Sequence, residues 1–192
     1  MDTRAFEAGR GLRLMFWGEL LFLAAIVCVL SNNLVPVLSV AARVLAGLSF
    51  LLGLFGLVTA ARAYAGYQGA LIFLVVSIIL WAAINWVQDD WYAALLNVAC
   101  AVANYLMVAW VCVASADLLF RGRDEDGVRQ VAKVRRRYLI CSVVSIVCFL
   151  AGSLSRLGAL AEIVRIMGTV VSLFACLIYL LFLRDIQELM RE

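Results

Sequence analysis

Long apolar runs alternate with short polar ones along this chain, and the alternation predicts membrane helices. Five runs carry no charge at all: Val44–Ala61, Ala63–Gln88, Trp91–Ala116, Tyr138–Ser155 and Ile166–Leu183, each 18 to 26 residues long. A sixth, Leu14 to Ser31, is broken only by Glu19. A bilayer span takes roughly 20 mostly apolar residues, with a range of about 17–25. The runs therefore predict helices near 12–31, 40–62, 68–88, 91–118, 137–156 and 160–184. They pair as three hairpins, with outer turns near Asn32, Asp89 and Arg156. The first run looks like a signal-peptide core, but no small-x-small site closes it and five more runs follow. It is read as a retained helix.

The one long polar stretch is Arg121–Arg137, RGRDEDGVRQVAKVRRR, which holds seven of the sixteen basic residues. It orients the rest. With the N-terminus inside, thirteen basic residues fall on inner segments and three, Arg43, Arg156 and Arg165, on outer ones. The positive-inside rule then assigns both termini and this loop to the cytoplasm. Within the loop, acids come first and bases last, the order that suits a helix macrodipole. Val128, Val131, Val134 and Tyr138 share one side of such a helix, with Arg129, Lys133, Arg135, Arg136 and Arg137 as candidate contacts for anionic lipid. A topological signal alone is the plainer reading of the same charges.

Composition agrees. The chain is 66% hydrophobic and 15% charged, against about 45–50% and 25% in soluble domains. The expectation is an all-α membrane protein, one six-helix domain over residues 1–192, in the cytoplasmic (inner) membrane of a bacterium. The six cysteines all lie in apolar runs with no Cys-x-x-Cys, so they read as small apolar side chains rather than a redox set.

The second helix carries a face of small residues, Ala46, Ser49, Gly53, Gly56 and Ala60, which suits close backbone approach in lipid. Packing inside one chain and contact with a partner both use such a face. The fifth and sixth helices repeat it with Cys141, Ser145, Cys148 and Gly152, and with Gly168, Ser172 and Cys176. Asn97, Asn104 and Ser115 fall within about 20° of one another on the fourth helix. They either line a solute path or join helices. Glu19 is the one acid inside a span, about 9 Å past Arg13 by helix rise, and Arg62 is its candidate partner. Shifting the first hairpin by 56 residues places Thr59-Ala60 on Ser115-Ala116 and Tyr64 on Phe120, a hint of repetition that any two apolar hairpins also give.

Catalytic chemistry has little to stand on. The chain has no His, the commonest general base and zinc ligand. It has no nucleophile elbow and no phosphate-cradling loop. No cofactor, metal or nucleic acid is expected. Length and helix count resemble the substrate-binding subunits of energy-coupling-factor transporters. Those carry Ala-x-x-x-Ala in the first helix, where here Ala24 and Ala25 are followed four positions on by Cys28 and Val29. The expected function is a non-enzymatic membrane scaffold or accessory subunit, working through helix–helix contact with a membrane-protein partner or a second copy. The alternative is a small transporter, or a substrate-binding transport subunit, with a polar site around Glu19, Arg62, Asn97, Asn104 and Ser115.

Overall fold

A computed structural model describes residues 3–30, 38–84, 86–87, 90–121, 125–154 and 158–189. The expected outer turns at Asn32, Asp89 and Arg156 lie outside these. The described residues form six helices: α1 Thr3–Leu30, α2 Leu38–Ala63, α3 Gln68–Ile84, α4 Asp90–Arg121, α5 Glu125–Leu154 and α6 Gly158–Leu189. Between α2 and α3 the backbone turns extended at Tyr64 (φ −145°, ψ 118°) and makes one 3₁₀ turn, Ala65–Tyr67. The Tyr64 amide still bonds the Ala60 carbonyl at 2.8 Å, which closes the last turn of α2.

Five of the six are long and apolar enough to cross a membrane: α1, α2, α3 with the preceding turn, α4 and α6. The sixth, α5, carries seven charged residues between Glu125 and Arg137. Its described apolar part runs from Tyr138 to Leu154, at the short end of the roughly 17–25 residues of a span. The outward side chains are mainly apolar, as Val40, Phe55, Ile72, Ile79, Val147 and Leu181 show. Such a surface calls for lipid rather than water.

The helices form a ring. Each packs on its neighbours in chain order, and α6 closes on α1. The tightest seam is α1 on α2, where glycines meet. A Cβ added at Gly11 would lie 2.5 Å from the Gly56 carbonyl oxygen, and one at Gly56 would lie 2.6 Å from that of Gly11. One at Gly18 would lie 3.0 Å from the Ser49 carbonyl oxygen. The small-residue face of α2 is thus used within the chain, and its partners, Gly11 and Gly18, sit on a helix that the sequence pattern did not single out. Gly53 differs: a Cβ there meets only Leu74 Cδ2, at 3.7 Å.

Three helices run well past their expected ends. The first begins at Thr3, the fifth at Glu125 and the sixth ends at Leu189. Charge-free runs measure what lipid tolerates, and a helix continues wherever packing continues. Ala8, Leu12, Leu118, Leu119, Val131, Leu183 and Ile186 are all buried together at the basic end of the ring. The Gln187 amide donates to the Leu12 carbonyl at 3.2 Å, and the Gln130 amide to Asp185 at 3.1 Å. The same packing reaches the valine side of the central basic segment. Residues 125–137 are the first half of α5, and their valine side packs on protein: Val131 is 3% exposed, and Val128 and Val134 pack on the same core. Arg129, Lys133, Arg135, Arg136 and Arg137 remain exposed.

Candidate functional site: a polar cavity inside the ring

At the basic end the interior of the ring is filled by Leu57, Tyr67, Val108, Val111, Cys112 and Tyr179, among others. Midway along the helices it is hollow. A cavity of about 310 Å³ is lined by side chains from all six helices, near the lower end of the roughly 300–1,000 Å³ typical of small-molecule sites. Its polar groups are Glu19, Ser49, Asn104, Tyr138, Ser142, Ser145, Thr169, Ser172 and Cys176. Phe22, Phe50 and Phe149 are its aromatic walls, with the Phe22 and Phe50 rings 6.4 Å apart.

The α1–α2 seam fixes the depth. Because Gly11 lies against Gly56 and Ala60, and Gly18 against Ser49, Glu19 stands level with the middle of α2. Ser49 is about 20 Å from Arg62 and about 16 Å from Leu38 by helix rise. Arg62, exposed at the end of α2, is therefore out of reach, and the two make no ion pair; the expected Glu19–Arg62 partnership is not present. The antiparallel register decides this: two residues that both read as near an inner helix end by sequence are separated by about 20 Å along the bundle. What Glu19 has instead is the Cys176 thiol, donating to its carboxylate at 3.5 Å. Among the described residues neither a basic side chain nor a second carboxylate lines the cavity.

The expected amide face of α4 divides. Asn104 lines the cavity and accepts the Ser77 hydroxyl at 2.7 Å. Ser115, fully buried, bonds the Tyr67 hydroxyl at 3.0 Å and joins α4 to the turn before α3. Asn97 is exposed and donates its amide to its own helix, at the Ala93 carbonyl, 2.9 Å away. A shared azimuth over nearly twenty residues does not make a shared site when the helix runs through several environments. Asp117, below Ser115, accepts the Tyr64 hydroxyl.

Ser142, Ser145, Thr169, Ser172 and Cys176 complete the cavity. Some were read from sequence only as small packing residues. Ser145 does both jobs: its hydroxyl bonds Ser172 at 2.7 Å and the Gly168 carbonyl at 3.1 Å. That geometry is the counterpart of Ser77 with Asn104 and Cys100, displaced by 68 residues. The sequence carries the same displacement. Leu71-Ile72, Val75-Val76-Ser77-Ile78 recur as Leu139-Ile140, Val143-Val144-Ser145-Ile146. Asp117, which holds Tyr64, recurs as Asp185, which holds Gln130. The α3–α4 and α5–α6 hairpins are thus alike in register and in bracing, and the 68-residue offset was the signal that would have singled out Ser145 and Ser172.

The chain matches no protein-family model, no curated protein and no solved structure.

Proposed function

We propose that the protein binds a small solute in the ring cavity and passes it across a membrane. The observation that carries this is the placement of one carboxylate, one amide and several hydroxyls around a hollow to which every helix contributes. Polar groups at membrane depth are costly unless paired or wet, and they mark substrate and ion pathways. Like hairpins around a mid-depth site are also the layout on which transporters are built. The reading includes six spans in a bacterial cytoplasmic membrane with both termini inside, which rests on the thirteen-to-three division of basic residues. The scaffold reading has less behind it than the sequence suggested. Ser49, Gly56 and Ala60 of the α2 small face pack on α1, and Gly168 of α6 sits against Cys148 of α5, so much of both faces is used within the chain.

Thiol accessibility in a cysteine-free background tests the proposal. Ser142→Cys and Thr169→Cys, inside the cavity, should react with a small hydrophilic thiol reagent in proteoliposomes. Ala103→Cys, buried at 4% exposure on α4 outside the cavity, should not. Inertness of all three would mean a dry void, and the solute path would be lost.

A further inference from the structure

We infer that the cavity ligand is a small organic amine, bound as its ammonium ion on Glu19 in exchange for a proton. The inference rests on reading the cavity as a ligand site, and it names the class of ligand.

The charge balance of the site leads to it. Glu19 lies at mid-depth, and among the described residues its carboxylate contacts only a thiol and no basic side chain lines the space around it. A bare carboxylate in such surroundings is strongly disfavoured. It holds a proton or meets a cation. The ionisable groups that face it are few. From α6 there are Cys176, in contact, and Tyr179 nearby; from α5 there is Tyr138. The lining from α2, α3 and α4, which is Ser49, Phe50, Gly53, Leu74, Ala101, Asn104 and Met107, has no ionisable group. None of these described groups supplies a positive charge, which points to a cation from outside.

The walls say which cation. A hard metal ion takes six or more oxygens, or keeps its waters. Among the described residues no three candidate metal ligands cluster, and much of this lining is hydrocarbon. Phe22, Phe50 and Phe149 suit an apolar body, and aromatic faces also attract an ammonium group. Asn104, Ser49 and Ser142 offer acceptors for its remaining N–H bonds. The exchange balances: the carboxylic acid of Glu19 gives its proton to water as the ammonium ion enters, and the site stays neutral throughout.

The test uses purified full-length protein in detergent, with ethylamine, butylamine and phenethylamine as probes. The neutral 2-phenylethanol and the anionic phenylacetate serve as shape controls. Two readouts are taken together: thermal stabilisation, and proton release into weakly buffered solution containing a pH indicator. Phenethylamine should stabilise the protein and release up to one proton per molecule bound. Glu19→Gln should weaken its binding by about tenfold or more and abolish the release. Glu19→Asp, which keeps the charge on a shorter arm, should retain both in reduced form. Equal binding of 2-phenylethanol without proton release would overturn the amine while leaving the cavity as a ligand site. No binding of any amine would overturn it too, and an inert Ser142→Cys besides would remove the ligand site as well. Wild type against 2-phenylethanol needs no variant, so misfolding of Glu19→Gln leaves the test intact.

Discussion

Replacing Gly56 by Ala asks whether the backbones of α1 and α2 are in contact. The added Cβ would lie 2.6 Å from the Gly11 carbonyl oxygen, 2.7 Å from Met15 Cγ and 2.9 Å from the Met15 nitrogen. The Met15 side chain can rotate away, but the two backbone atoms cannot. Carbon contacts settle at about 3.5–4.0 Å, so the helices must part by roughly 1 Å. The seam that includes Gly18 and Ser49 would open with them. Overpacking of this kind costs about 1–3 kcal/mol. For a chain of this size each kcal/mol moves the melting point by about 2–4 °C. Thermal unfolding in mild detergent should therefore show a drop of several degrees. Two controls share the helix. Gly53→Ala meets only Leu74 Cδ2 at 3.7 Å, and Gly47→Ala meets nothing within 4 Å. Both should melt within about 0.5 kcal/mol of wild type. A Gly56→Ala protein that melts with Gly47→Ala would refute the close seam, and with it the register that sets the depth of Glu19.

Other expectations follow from the same contacts. Glu19→Gln and Arg62→Gln should be additive in stability, and a coupling above about 0.5 kcal/mol in a double-mutant cycle would contradict their separation. Ser77→Ala and Ser145→Ala should each destabilise by about 1 kcal/mol, since each removes an equivalent brace between paired helices; a cost at only one would argue against like roles. Val131→Asp should unfold the basic end by burying a charge, whereas Arg129→Gln with Lys133→Gln should leave melting unchanged and lower retention by anionic vesicles at low salt. In intact cells an impermeant thiol reagent should label Asn33→Cys and miss Lys133→Cys; the opposite pattern would invert the orientation.

The sequence alone determined the solvent and the element count. Runs of about 20 apolar residues suit lipid better than water, and the six runs form six helices. It also marked Glu19 and Asn104 as unusual, because a polar group at that depth needs a reason. What it did not contain was relative depth. Glu19 and Arg62 both read as inner-end residues, and only the Gly11–Gly56 contact shows them about 20 Å apart along the bundle. Likewise Asn97, Asn104 and Ser115 share an azimuth, yet they meet a helix exterior, a cavity and a buried tyrosine in turn. The valines of 128–134 mark an apolar side by their period, and the structure packs that side on protein; period says that a side is apolar and not what covers it. Closing α6 on α1 is what turns three hairpins into a ring with an inside. Ser145, Ser172 and Cys176 became cavity residues only through that closure, because a small polar side chain in a membrane helix packs or lines according to what stands opposite it.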